Sequence, residues 1–226
     1  MDFKNIKAVI FDFDGTLYDF KGVTKNLLKN LSILSIIRAG KERKLRHIYK
    51  GKYFGSSEEF YFSYFQDLAK LCHTTPQKIQ NWYENVYLEE MINSLKKNYN
   101  FRKNADKVFS ILKANKIKTA VFSDYPKVQS RMEAIGFKEN TADFLFSAEN
   151  LGGLKPSVEP FFKIAEKLDV NPVNILFVGD RSDTDGKGAV SSGMNFIQIL
   201  TDKTPDSQKS NAVSWEDFVH LIEKNF

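Results

Sequence analysis

Ala8-Val9-Ile10-Phe11-Asp12-Phe13-Asp14-Gly15-Thr16 is the stretch that places the fold. The four residues from Ala8 to Phe11 are all apolar and show no polar alternation, as in a strand buried on both faces at the centre of a parallel sheet. Two carboxylates follow at once, and Gly15 lets the backbone turn sharply as it leaves the sheet. Asp12 and Asp14 therefore fall at the carboxyl end of the first strand, where open α/β sheets bind ligands. An Asp-x-Asp pair also caps ordinary turns, so the rest of the chain has to decide between the two readings.

Downstream, Leu27, Leu28, Leu31, Leu34 and Ile37 recur at helical spacing, and Gly40 is expected to break or kink that helix. Ser56 and Ser57 with Glu58 and Glu59 signal a second helix rich in aromatics, and Thr75-Pro76 a third, with Thr75 as its cap. Residues from about 20 to 97 therefore read as purely helical. The polar run Lys96 to Asn100 marks a hinge, after which helices alternate with strands at 117–122, 143–147, 175–178 and 196–199. A helix over Trp215 to Lys224 closes the chain, and Thr201 to Asn211 reads as a polar loop. Five strands with intervening helices predict an α/β fold with a doubly wound parallel sheet, into which the helical block is inserted.

The bulk composition bounds what such a chain can do. Its 226 residues are 42% hydrophobic and 14% aromatic, enough for a packed core. There is no apolar run of membrane-spanning length and no apolar signal segment near Met1, and the single cysteine, Cys72, suits a reducing compartment. The expected location is the cytoplasm, with no membrane partner. The net charge of +5 is concentrated in Arg38, Lys41, Arg43, Lys44, Arg46, Lys50 and Lys52, a patch that attracts anions. No nucleic-acid-binding motif accompanies it, so nucleic acid is disfavoured as a partner. His47, His73 and His220 stand apart from the acids, and Cys72 lies in the aromatic helical block, where burial is expected. Nothing in the sequence sets an oligomeric state.

Because all carboxyl ends of a parallel sheet lie on one edge, Asp12, Asp14, Ser123, Asp180 and Asp185 are expected to converge on one crevice, with Lys155 on the same edge. Like charges about 4 Å apart repel by about 4 kcal/mol per pair at an effective dielectric near 20, so such a cluster calls for a cation. An all-oxygen set without His or Cys suits a hard ion, and Mg²⁺ fits best. Lys155 and the Ser123 hydroxyl add a positive charge and a donor for an anion. That combination serves phosphoryl transfer, whose catalysis is chiefly positioning and electrostatic stabilisation.

Taken in order, Asp12-Phe13-Asp14-Gly15-Thr16, Ser123, Lys155 within Gly152-Gly153-Leu154-Lys155-Pro156, and Gly179-Asp180 with Asp185 resemble the four motifs of the haloacid dehalogenase superfamily. The resemblance implies a Rossmann-like core made of residues 1–19 and 98–226, and a mobile helical cap domain over 20–97. It makes Asp12 a nucleophile that becomes an aspartyl-phosphate, and Asp14 the group that protonates the leaving oxygen and then activates water. It assigns Mg²⁺ to the Asp12 side chain, the Asp14 backbone carbonyl and Asp180, with Asp183 or Asp185 acting through water. Ser123 and Lys155 then grip the transferring phosphoryl group. The acid at position 14 points to the phosphatase branch, since halide leaving groups need no proton. One departure is Asp124, where many relatives carry Asn; it either alters substrate orientation or faces solvent.

These readings predict a Mg²⁺-dependent phosphatase whose cap closes over a small phosphorylated metabolite, with Lys21, the basic run from Arg38 to Lys52 and the aromatics of the cap as candidates for selecting it. Two alternatives use the same residues differently. A phosphomutase would return the phosphoryl group to a sugar phosphate, and a noncatalytic interaction protein would bind an acidic partner through the basic cap.

Overall fold

The computed structural model describes residues 3–210 and 212–226. A 3-10 turn (Phe3–Asn5) leads into β1 (Ala8–Asp12). The insertion follows as α1 (Val23–Leu28), α2 (Ile33–Tyr49), α3 (Ser57–Cys72), α4 (Pro76–Trp82), one π-helical turn (Tyr83–Tyr87) and α5 (Leu88–Asn98). The chain then alternates: α6 (Ala105–Ala114), β2 (Lys118–Ser123), α7 (Val128–Ala134), β3 (Phe144–Ser147), α8 (Val158–Leu168), β4 (Ile175–Gly179), α9 (Lys187–Ser191), β5 (Asn195–Ile199), α10 (Asp206–Lys209), β6 (Ala212–Val213) and α11 (Trp215–Asn225).

The six strands pair in parallel in the order β3-β2-β1-β4-β5-β6. This is the Rossmann-like α/β architecture expected, and its order reverses between β1 and β4, the place where such sheets open a crevice. Alternate residues of each strand feed opposite layers. Val9, Phe11, Val121, Leu176 and Val178 pack with Phe109 and Leu112 of α6 and Phe218 and Ile222 of α11. Ala8, Ile10, Phe122 and Phe177 pack with Phe161, Ile164 and Leu168 of α8. This second layer continues into the insertion through Leu45, Tyr64, Trp82, Tyr83 and Met91, so one apolar core runs through sheet and helical block alike. Each large side chain buried there contributes about 1.5–3 kcal/mol.

Two further contacts tie the insertion to the sheet. Its entry and exit run side by side, with Tyr18 bridged to Phe101 and Arg102 N donating to Leu17 O at 2.8 Å. Between α2 and α3, Tyr53 forms an antiparallel bridge to Gly153, Phe54 N donates to Gly152 O at 2.8 Å, and Leu154 N donates to Lys52 O at 3.1 Å. The backbones approach so closely that a Cβ on Gly153 would lie 2.8 Å from Lys52 O.

The caps at Ser56 and Thr75 form as expected, accepting from Glu59 N and Lys78 N. The break expected at Gly40 does not: α2 runs straight through it, and the helices part instead at residues 29–32, where Ser32 caps α2 by accepting from Ser35 N. An interior glycine weakens a helix by only about 1 kcal/mol, and a packed, capped helix absorbs that. Leu34 and Ile37 lie exposed. The short α10 falls within Thr201 to Asn211, read as a loop, and a sixth strand, β6, follows it unanticipated, both being too brief to show a period.

Candidate active site

The β1 strand delivers Asp12 into the crevice, and the turn after it is held from below by Arg102, which donates to Thr16 O at 2.9 Å and Gly15 O at 3.0 Å. Thr16 Oγ1 donates to Asp12 Oδ2 at 3.0 Å, while Lys155 Nζ donates to Asp12 Oδ1 at 2.6 Å. The same ammonium donates to Asp185 Oδ1 at 2.7 Å and to Phe122 O at 3.3 Å. Asp180 comes from the end of β4. One carboxylate oxygen from each of Asp12, Asp180 and Asp185 lies within 4.8 Å of the others. Such closeness demands glycine at position 15, where φ is +98° and a Cβ would sit 2.5 Å from Asp180 Oδ2.

The electrostatics follow from this burial. Desolvation raises Asp12 well above the usual carboxylate range, and the neighbouring Asp185 and Asp180 push it further up against the pull of Lys155. Burial and the Asp185 charge push Asp180 up to about 7, and Asp185 is raised by burial too. Lys155 is raised as well: desolvation lowers it, but the charges of Asp12 and Asp185 outweigh that and hold it firmly protonated.

Asp14 points elsewhere. Arg131 Nη2 reaches both of its oxygens at 2.6 Å, Tyr18 OH donates to Oδ1 at 2.6 Å, and Ser123 Oγ donates to Oδ2 at 3.1 Å. Burial pushes Asp14 up, but the Arg131 charge and these hydrogen bonds outweigh it and leave the carboxyl below its ordinary range.

Of the four buried or half-buried carboxylates, Asp12 and Asp185 share Lys155 and Asp14 pairs with Arg131, so the acids outnumber the cations bonded to them. The donors are all oxygen. Both facts fit a hard divalent cation between Asp12 and Asp180, with the Asp14 carbonyl on the same turn.

Of the residues singled out in the sequence, Asp12, Asp14, Ser123, Lys155, Asp180 and Asp185 meet in this crevice. Asp183 does not. It sits half-exposed, bonded by Arg181 at 2.8 and 3.1 Å and by Lys50, just past the end of α2, and these bonds overcome its burial and hold it down to about 2. Lys21 lies at the surface, paired with Asp202 at 3.2 Å. Asp124 is half-buried, and its Oδ1 accepts from Lys155 N at 3.1 Å and anchors the lysine's loop. Cys72 is half-buried, and burial raises its thiol.

Sequence reading missed Arg131, Tyr18, Thr16 and Arg102. For Arg131 a signal existed: it falls between Val128, Met132 and Ile135 on the apolar stripe of α7, where a charge has to meet a buried partner.

A family model of haloacid dehalogenase-like hydrolases matches residues 6–193. A glyceraldehyde 3-phosphate phosphatase from Methanopyrus kandleri is 25% identical over 228 residues, covering 94% of this chain and 92% of that protein. Among solved structures, a 2-haloacid dehalogenase from Pseudomonas syringae pv. Tomato DC3000 superposes with a TM-score of 0.62 at 19% identity, covering 97% of this chain and 98% of that one. A HAD phosphatase from Thermococcus onnurineus gives a TM-score of 0.62 at 18% identity, covering 96% and 98%. At these identities the structural likeness is one of fold.

Proposed function

This chain belongs to the haloacid dehalogenase-like hydrolase family, and from that premise we propose that it is a Mg²⁺-dependent phosphatase that hydrolyses a small phosphorylated metabolite by way of a phosphoryl group carried on Asp12. The observation that carries the reading is the pairing of two differently held acids two residues apart. Asp12 is fixed by Lys155 and Thr16 beside the excess negative charge, and Asp14 is held apart from it by Arg131 and Tyr18. A dehalogenase has no use for the second acid, because a halide leaves without a proton, whereas an alkoxide does not. The match to a phosphatase over nearly the whole chain supports the same choice.

In this reading Mg²⁺ would be held by Asp12, Asp180 and the Asp14 carbonyl, with Asp185 behind, and would supply charge stabilisation to the phosphoryl oxygens. A carboxylate oxygen of Asp12 attacks phosphorus and the bond to the ester oxygen breaks; Asp14, held low by Arg131 in the free site, takes up a proton as the negative charge of the substrate phosphate arrives beside it, and gives that proton to the ester oxygen. Asp14, now the conjugate base, takes a proton from water as the water oxygen attacks phosphorus. The acyl phosphate bond breaks and inorganic phosphate leaves, restoring Asp12. Lys155 holds Asp12 in line throughout, and both Lys155 and Ser123 face the transferred group.

Residues 1–19 and 98–226 form the catalytic core, and 20–97 serve as a cap that shields the crevice from bulk water. Lys50, just past the end of α2 and bonded to Asp183, brings the basic stretch of the cap next to residues 180–185.

The test is release of inorganic phosphate from 4-nitrophenyl phosphate and from a panel of phosphorylated metabolites. Turnover is expected with Mg²⁺, to vanish with a chelator, and to fall below detection in Asp12→Asn. Turnover that survives the chelator, or survives in Asp12→Asn, removes the reading.

A further inference from the structure

Arg131 is 1% exposed, yet it carries a full charge into the wall of the crevice. It donates from Nη2 to both oxygens of Asp14, from Nη1 to Ser123 Oγ at 2.8 Å and to Tyr125 O at 3.3 Å, and its guanidinium stands 4.7 Å from the Phe13 ring centroid. Tyr18, also fully buried, directs its hydroxyl at Asp14 Oδ1. Three elements therefore converge on a single carboxylate: the turn after β1 supplies Tyr18, the end of β2 supplies Ser123, and α7 supplies Arg131.

The consequence is a division of the acids. Asp12, Asp180 and Asp185 gather within 4.8 Å of one another around Lys155, and Asp14, only two residues from Asp12, is not in that group. Without a cation on its far side, Asp14 would be free to rotate toward the same space. Arg131 is almost wholly buried and spends its donors on Asp14, Ser123 and the Tyr125 carbonyl, so it is placed to position Asp14 and not to touch a substrate.

We propose that Arg131 and Tyr18 are positioning residues that hold the Asp14 carboxylate clear of the Asp12–Asp180–Asp185 cluster and aim it at the leaving oxygen. The inference rests on the reading of Asp14 as the proton donor. Loss of either residue then harms the steps that need a proton and spares those that do not. A residue that merely supports the fold would lower all rates alike.

The experiment measures kcat/KM for a series of substituted phenyl phosphates, from 4-nitrophenyl, which leaves without a proton, to 4-methoxyphenyl, which benefits from one. This ratio reports events up to release of the phenol. Arg131→Lys and Tyr18→Phe are expected to lose about 10²-fold on the poorest leaving group and less than about threefold on 4-nitrophenyl phosphate, the general acid being worth about 10²–10⁴. The plot of log kcat/KM against leaving-group acidity steepens as it does in Asp14→Asn, and adding Arg131→Lys to Asp14→Asn costs nothing more. Tyr18→Phe keeps the ring packing and carries the test should the arginine variant not fold, which thermal unfolding reports. An unchanged slope in Tyr18→Phe and in folded Arg131→Lys, or losses that multiply in the Asp14→Asn background, overturn the proposal. If Asp14→Asn itself leaves the slope unchanged, the parent reading of Asp14 has failed instead.

Discussion

Lys155 illustrates how single side chains in this crevice are bound to one another. It is buried between Asp12 and Asp185 at 2.6 and 2.7 Å, and removing one partner of a buried ion pair leaves charge without compensation. Lys155→Met is therefore expected to lower the unfolding free energy by about 3–5 kcal/mol in cation-free urea titrations. A loss under about 1 kcal/mol would show that the two carboxylates do not depend on it. The converse addition follows from the excess of acids over bonded cations: Mg²⁺ at a hundredfold its dissociation constant should stabilise the native chain by about 2.7 kcal/mol, and Asp180→Asn should abolish most of that gain. At this scale the sequence was legible wherever a functional residue terminates a strand, since the parallel sheet itself brings Asp12, Ser123 and Asp180 to one edge. It was not legible for Arg131 and Tyr18. Their role depends on which way α7 and the turn after β1 face, and that is decided by packing rather than by local pattern.

Among the elements, the contact between residues 52–54 and 152–154 links the helical insertion to the loop that carries Lys155. Because a Cβ on Gly153 would come 2.8 Å from Lys52 O, Gly153→Ala has to push the two backbones apart. Overpacking of this kind costs about 1–3 kcal/mol, and the loss should be read from denaturant midpoints, with the Phe54 and Leu154 amides, which bond across the contact, exchanging faster. Wild-type stability and exchange in that variant would mean the contact bears no weight. The start of α3 offers a smaller, cleaner case: Ser56→Ala removes the acceptor for Glu59 N and is expected to cost about 1 kcal/mol. Caps such as Ser56 and Thr75 were readable because their chemistry is local. The junction at residues 29–32 was not, since Gly40 is the louder signal and only the tertiary packing of α2 overrides it.

For the whole molecule, the insertion and the sheet share one core and one buried polar cluster. Glu42 and Arg46 of α2 meet Glu149, which follows β3; Tyr83 OH donates to Glu149 Oε1 at 2.7 Å and Tyr64 OH to Glu42 Oε1 at 2.8 Å. Tyr61, Tyr87 and Tyr125 complete the surroundings, with the Arg46 guanidinium 3.7 Å from the Tyr125 ring centroid. Burial raises both glutamates despite Arg46. An acid raised on folding contributes stability that is fully present below its unfolded value, here 4.5, and is lost as pH climbs through the folded value. The melting temperature should therefore fall as pH rises above about 4.5 through this cluster, and Glu149→Gln should flatten that part of the profile. An identical profile in the variant would exclude the cluster as its source. The parallel α/β class of the sheet was readable from apolar runs alternating with helical segments, whereas its sixth strand and the fusion of its core with that of the helical block were not, because the latter depends on aromatic faces from α3, α4 and the π turn meeting the sheet's own layer.

The central claim is that Asp12 carries the phosphoryl group, and mass spectrometry of enzyme quenched in acid during turnover tests it most directly. The account predicts a phosphoryl adduct on the peptide bearing Asp12, present with Mg²⁺ and substrate and absent without either. Sustained turnover with no adduct at Asp12, or with the adduct on another residue, would contradict it.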